Sequence, residues 1–217
     1  MARTHAMALT ILAVAHSPAL FAQAPATPAL QTETSAPATQ TVVLETALGN
    51  ILLAIEIERA PVTSANFLRY VDEDRLDGTV FYRAMHLEWG EQPNGLIQGG
   101  TQYDPKRILS PIAHEPTSET GVLHKAGAIS MARHAPGSAT GDFSIVLRAM
   151  PSLDANPDGE TDDQKAGFAA FGHVIEGMDV VRAIHAAPID PGKGQGWMKG
   201  QLIAQPVTII DARRAAK

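Results

Sequence analysis

Residues 81–100 read FYRAMHLEWGEQPNGLIQGG. Arg83 closes a short aromatic strand, and fifteen residues later Gln98 opens a Gly-Gly pair. Only 5 % of the chain is aromatic, so Phe81 and Tyr82 beside one cation, with Trp89 close behind, mark a place where that scarce residue type is concentrated. Trp89, Pro93 and Gly95 make the intervening stretch irregular. Two short strands joined by a long loop is the reading, and the rest of the chain decides what sheet they belong to.

Upstream, TVVLETALGNILLAIEI (41–57) carries two apolar runs broken by Leu48-Gly49-Asn50, a hairpin signal. APVTSANFLRYVDE then changes period. Pro61 suits a first helical turn, and Val62, Ala65, Phe67-Leu68 and Val71 recur at helical spacing, which predicts an amphipathic helix over about 61–72. Short apolar pieces follow, each bounded by Gly, Pro, Asp or Asn: TVFYRAM, GLIQGG, ILSPIAH, GAISMAR, DFSIVL and FAAFGHVI. None is long enough for a typical helix, and the pattern predicts many short, mostly antiparallel strands in a barrel or sandwich. GMDVVRAIHAA (177–187) predicts a second helix with Met178, Val181, Ile184 and His185 on one side. QPVTIIDARR closes the chain as a strand whose natural partner is the first hairpin.

The N-terminus is of a different kind. Residues 1–24, MARTHAMALTILAVAHSPALFAQA, have a weakly basic start (Arg3, His5), an apolar stretch from Ala6 to Ala15 and a small-residue exit. That stretch is shorter than the roughly 20 residues a bilayer requires, and a cleavable signal peptide is expected. A cut after Ala24 satisfies the small-x-small rule but leaves Pro25 next, whereas a cut after Ala22 avoids the proline. Pro18 argues against an ordinary helix here. Residues 25–41, PATPALQTETSAPATQT, lack large apolar groups and read as an extended, disordered tether. Residues 42–217 are one domain's worth of chain. The expected location is periplasmic or secreted, with no stable membrane insertion.

The net charge of −6 and the lack of any Lys/Arg cluster speak against nucleic acid as a partner. With no cysteine, the fold has no disulfide staples and the chemistry no thiol. The absence of cysteine also excludes a lipoprotein anchor.

The pieces APVTSANFL, FYR, IQGG, GAISMAR, DFSIVL and FAAFGHVIEGMDVV stand in the order found in cyclophilin-type peptidyl-prolyl cis-trans isomerases. The chain resembles that family from about Val42 to its last strand. The resemblance implies a mostly β fold, a closed eight-stranded antiparallel β-barrel capped by two α-helices, with the substrate groove on its outer wall. It implies no metal and no organic cofactor. It also implies unfolded or proline-containing polypeptides as clients, and we expect the chain to act as a monomer.

The reaction at stake is rotation about an X-Pro bond. Resonance gives that bond a barrier of about 18–20 kcal/mol, so the uncatalysed change takes roughly 10–100 s. In the twisted transition state conjugation is lost and the prolyl nitrogen gains a lone pair. A fixed donor aimed there binds the transition state better than the ground state. Carried over from the family, Arg83 is that donor, and Gln98 binds the peptide backbone and orients the arginine. Phe81, Tyr82, Leu96, Met131, Ala132, Phe143, Ser144 and Phe168 are the expected substrate-binding positions. The aromatics beside Arg83 would form a low-dielectric wall in which its charge is little screened.

Several positions depart from the family pattern. Gly95 replaces the large aromatic that precedes Leu96, and Ser144 takes the aromatic floor of the proline pocket. Phe168 stands where the family has histidine or tyrosine. Losing an aromatic floor forfeits part of the roughly 1.5–3 kcal/mol that burial of such a side chain is worth. Arg83 and Gln98 are also farther apart than in compact members, and the extra segment HLEWGEQPN carries Trp89. Two roles remain open for Trp89: a lid folded back over the groove, or an anchor for the loop.

In LDANPDGETDDQKAG (153–167), Asp154, Asn156, Asp158 and Gly159 imitate the first half of a calcium loop. The twelfth position is Lys165 where a glutamate is needed, so a solvated acidic turn is expected. His114, His124 and His134 lack a zinc spacing. The leading expectation is an exported proline isomerase that assists folding. One alternative is a weak or inactive module of the same fold that binds extended or proline-containing segments. Another is an interaction domain that presents the 84–94 loop.

Overall fold

The computed structural model describes residue 1 and residues 36–216. The expected signal peptide, and most of the expected tether, lie outside the described residues. From the N-terminal side the elements are β1 (Gln40–Thr46), β2 (Gly49–Ile55), α1 (Pro61–Asp72), β3 (Val80–His86), β4 (Gly95–Gly100), α2 (Thr117–Thr120), β5 (Ala128–Met131) and β6 (Phe143–Val146). They continue with α3 (Asp162–Ala166), β7 (Ala170–Glu176), α4 (Met178–His185), β8 (Ile189–Asp190) and β9 (Leu202–Arg214).

The strands pair antiparallel in the order β1-β2-β7-β5-β6-β4-β3-β9, and β9 returns to β1. That return closes an eight-stranded barrel, with the two-residue β8 appended to β9. Closure leaves no long unpaired strand edge, the hazard of an open sheet. The expected pairing of the last strand with the first hairpin is the step that shuts it, with Val42 opposite Arg214 and Leu44 opposite Ala212.

Alternation along each strand sends one set of side chains inward. Val42, Leu44, Ile51, Leu53, Phe81, Ile97, Ile129, Phe143, Ile145 and Phe171 fill the interior. At its centre the Phe143 ring meets Phe67 of α1 edge-on at 5.4 Å and Phe81 at 5.7 Å, while Phe171 lies 5.2 Å from Phe67. The barrel is therefore a packed solid.

Helix α1 covers one end, with bounds as expected from the sequence. Its buried face differs from the expected one. Val62 is exposed, as is Ala65, and the buried set is Thr63, Ser64, Asn66, Phe67, Leu68, Tyr70 and Val71. Two of the polar members are offset by hydrogen bonds, Ser64 donating to the Glu56 carbonyl and Asn66 to that of Thr140, whereas Thr63 Oγ1 has no protein partner among the described residues. The Glu115 carboxylate accepts from the Val62 and Thr63 amides, which occupies the helix N-terminus. Helix α4 buries Val181, Ile184 and His185, with Met178 packed beside them, as its period implies.

ILSPIAH (108–114) forms no strand. Pro111 has no N–H to give a ladder. The segment is tied down singly instead, with the Ile112 amide on the Ala139 carbonyl and the Leu109 amide on the Tyr70 hydroxyl.

Candidate active site

A β-bulge makes the site possible. Phe81 pairs with Gly99 and Arg83 with Gln98, so Tyr82 is an extra residue in β3. Phe81 and Ala84 are fully buried in the interior. The bulge thus puts two successive residues, Tyr82 and Arg83, on the outer wall. Across that wall the pairing aligns Arg83, Gln98, Ser144 and Ser130 in one row over β3, β4, β6 and β5.

Arg83 is only 4 % exposed. Its Nη1 donates to Gln98 Oε1 at 2.6 Å, and Gln98 Nε2 donates onward to the Tyr82 hydroxyl at 2.7 Å. Both ends of the Gln98 amide are therefore fixed. Nε and Nη2 of Arg83 donate to a second glutamine, Gln201 Oε1, at 2.9 and 2.6 Å. Among the described residues no carboxylate forms a salt bridge with Arg83. Burial pulls its guanidinium down to about 10, which leaves it charged at neutral pH. Burial likewise raises the Tyr82 phenol, so it stays protonated and able to hydrogen-bond.

The indole lying over Arg83 is that of Trp197, with the guanidinium carbon 4.5 Å from the ring centroid. Trp89, the expected lid, is 62 % exposed and belongs to its own loop. Its carbonyl accepts from Asn94 Nδ2 and Gln92 Nε2, and Arg148 ties the loop down through Glu91 at 2.7 Å. These polar bonds, and not the exposed Trp89 indole, are what hold the loop. Gly95 has a physical cause as well. Its φ is +134°, and a Cβ there would lie 1.8 Å from the Met85 carbonyl oxygen, so no aromatic fits at that position.

Three expected substrate-binding residues face the barrel interior, and a fourth is covered by its neighbours. Phe81, Met131 and Phe143 are interior residues of the barrel, because each occupies an inward position of its strand. Leu96 points outward but is 6 % exposed, packed with Ala128, Val146 and Met150 and covered by Met85, Leu87 and Leu153. Ser144 stands in the outer row beside Gln98. Ala132 and Phe168 are half-buried. Phe168 carries the Arg133 guanidinium at 4.6 Å from its ring, while Arg133 is held by Asp163 at 2.8 Å and the Gly167 carbonyl at 2.7 Å. Gln201 and Trp197 went unnoticed in the sequence because no local pattern ties them to Arg83.

Beyond Ser130 the row continues inward. Ser130 Oγ lies 2.8 Å from His124 Nε2, and His124 Nδ1 lies 2.7 Å from Asp154 Oδ1. Ser130 and His124 are 2 % and 1 % exposed, so this chain of bonds is a buried brace with no access for substrate. It also occupies Asp154, the first residue of the calcium-like segment. A cavity of about 530 Å³ lies over that segment, lined in part by Asp154, Asn156, Asp158 and Glu160. Among the described residues no cluster of three or more His, Cys, Asp or Glu could hold a metal ion.

Asp142, just before β6, is 1 % exposed. Its Oδ1 accepts from the Gln102 amide at 2.8 Å, whereas its Oδ2, Thr101 Oγ1 and Thr140 Oγ1 have no protein partner among the described residues. Burial lifts its carboxyl to about 6. The folded protein thus holds this proton more tightly than the unfolded chain, whose carboxyl titrates near 3.9. Stability from this group is therefore present below about pH 4 and declines as pH rises to about 6. Asp142→Asn is expected to remove that decline and to gain of the order of 2 kcal/mol at pH 7. Urea midpoints at pH 4.5 and pH 7 for both proteins check it.

Residues 41–213 match the family model for cyclophilin-type peptidyl-prolyl cis-trans isomerases. A peptidyl-prolyl cis-trans isomerase of Acinetobacter baylyi is 36 % identical over 177 residues, covering 79 % of this chain and 84 % of that one. Peptidyl-prolyl cis-trans isomerase B of Escherichia coli is 31 % identical over 176 residues, covering 78 % and 99 %. Among solved structures, a cyclophilin-type isomerase of Cryptosporidium parvum determined in the presence of the dipeptide Ala-Pro matches with a TM-score of 0.64. It is 18 % identical, with 82 % of this chain and all of that one covered. The barrel and these similarities define the class: the chain belongs to the cyclophilin-type peptidyl-prolyl cis-trans isomerases. It is an enzyme that interconverts the cis and trans forms of the bond preceding proline.

Proposed function

We propose that the protein is an exported isomerase that acts on X-Pro bonds of envelope or secreted proteins and assists their folding, with Arg83 as the catalytic donor and Gln98 as its partner. The observation that carries the site assignment is a buried cation with neutral partners. A guanidinium has five N–H bonds, and glutamine oxygens take three of those of Arg83. Two remain for a ligand. A buried charge without a counter-ion costs stability, and such groups cluster at functional sites.

The mechanism follows from that charge. A planar amide nitrogen has little basicity, so the ground state gains little from Arg83. As the bond twists, the prolyl nitrogen acquires a lone pair, and a pre-oriented N–H pointing at it lowers the barrier. No proton is transferred and no covalent bond changes. Gln98, clamped between Arg83 and Tyr82, orients the donor and offers a polar edge to the peptide backbone. The Ala-Pro dipeptide of the C. parvum structure supports reading an X-Pro segment as the ligand class.

Export rests on the first 24 residues, with their short apolar core and small-residue exit. Fractionation of cells producing the full chain, with N-terminal sequencing, tests it. Envelope or medium location with a new N-terminus at residue 23 or 25 is the expected result. A cytoplasmic protein that retains the whole leader refutes it.

One observation favours a second reading. Ser144 in the row and the packed-away Leu96 leave little apolar surface for a prolyl ring, which suits a module that binds extended chain with weak turnover. Exchange NMR on an X-Pro peptide separates the two: cross-peaks between cis and trans signals with the wild type support turnover, and broadening without exchange supports binding alone. The indole that responds to peptide is expected to be Trp197. A Trp89→Phe variant should keep the peptide-induced fluorescence change and a Trp197→Phe variant should lose it.

A further inference from the structure

We infer that Gln201 and Trp197 form a clasp that positions Arg83 and keeps it free of any counter-charge, so that the segment between β8 and β9 belongs to the catalytic machinery. The inference rests on Arg83 being the donor for the twisted amide.

Gln201 is 118 residues from Arg83 in sequence. Its side-chain oxygen receives Nε and Nη2 together, which sets the guanidinium plane from the side opposite the Gln98 contact. Its Nε2 donates to the Trp197 carbonyl at 3.0 Å, so the amide cannot flip without losing bonds at both ends. Its own backbone carbonyl accepts from the Ala84 amide at 3.0 Å, which fastens the clasp to the residue next to Arg83. Gly200 is bonded to the Lys193 carbonyl and Met198 to that of Gln195, so the segment is a closed, self-bonded loop rather than a loose end. Trp197, 68 % exposed, puts one ring face on the guanidinium.

The chemistry of the clasp is the point. An ordinary way to hold a buried arginine is a carboxylate, which would also neutralise it. Here two neutral amide oxygens and an aromatic face do the holding. The partial charges orient the fork yet leave its full positive charge for the developing lone pair, in a site where water is largely excluded. Among titratable groups, Tyr82 acts directly on Arg83, and Asp142 acts on Tyr82 in turn. Neither supplies an ion pair.

The test is Gln201→Glu, a near-isosteric change that puts a carboxylate in the clasp. At pH 8 kcat is expected to fall at least about tenfold with KM changed little, since the loss is confined to the twisted state. As pH is lowered and the new carboxyl is protonated, activity should return toward wild type, whose own profile lacks this rise. Gln201→Met, which keeps volume and removes the acceptor, should lower kcat without any recovery on acidification. Trp197→Phe should retain more activity than Trp197→Ala. Near-UV circular dichroism identifies any variant that fails to fold, and the Trp197 pair then carries the comparison. Wild-type kcat and a flat pH profile for Gln201→Glu, in a background where Arg83→Ala is inactive, overturn the clasp while leaving Arg83 in place. An active Arg83→Ala overturns the reading beneath it.

Discussion

Arg83→Ala is expected to lower kcat/KM on an X-Pro peptide by about 10²–10³-fold, the usual cost of removing one donor aimed at a transition state. The loss should fall on kcat, with KM little altered, because the twisted nitrogen is the partner that distinguishes transition state from ground state. Exchange NMR with a short peptide measures it. Arg83→Lys keeps a charge but not the fork that spans Gln98 and Gln201, so it should recover only a small part of the activity. The buried Gln98 amide and the half-buried Gln201 amide each lose a partner in the alanine variant, so its folding must be checked independently. Activity of Arg83→Ala within a few-fold of the wild type would remove Arg83 from the mechanism.

The other large effect is on stability. Phe143→Ala should destabilise the protein by about 3–5 kcal/mol. Its ring is fully buried at the junction of Phe67 from α1 and Phe81 from β3, so truncation empties the centre of the barrel and loses two edge-on contacts. For a chain of this size that corresponds to a fall in Tm of roughly 6–20 °C. Ser144, one residue along and on the opposite face, provides the contrast. Ser144→Ala should change stability by less than about 1 kcal/mol, so any effect it has should be on peptide turnover. Thermal denaturation of the two variants, side by side, checks that the inside–outside assignment of β6 is right.

That pair of neighbours shows where sequence reasoning reached its limit. The first hairpin, α1 and α4 were legible, because each depends on a local period or a turn residue. The order of motifs identified the family and brought Arg83 and Gln98 together. Phe81 and Phe143 were assigned to the groove with their neighbours, and both turned out to be core. In a strand, one residue of offset exchanges the two faces, and the bulge at Tyr82 adds such an offset inside the site itself. A bulge is decided by how two strands pair, and neither strand's own pattern announces it. Ser144, expected at the pocket floor from its alignment with the family, stands opposite Gln98.

The aromatic cover of Arg83 illustrates the rest. Trp89 was the candidate because it is near Arg83 in sequence, yet its loop satisfies its own hydrogen bonds and is held by Arg148. Trp197 and Gln201 are far along the chain and reach Arg83 because β9 pairs with β3 as the barrel closes. By itself, then, the sequence determined most of the elements and the motif order that marks the family, which depend on contacts within a few residues or on motifs read in series. Only the tertiary structure decided which side chains share the cation's surroundings, because ring closure brings together strands whose separation in sequence leaves no periodic trace.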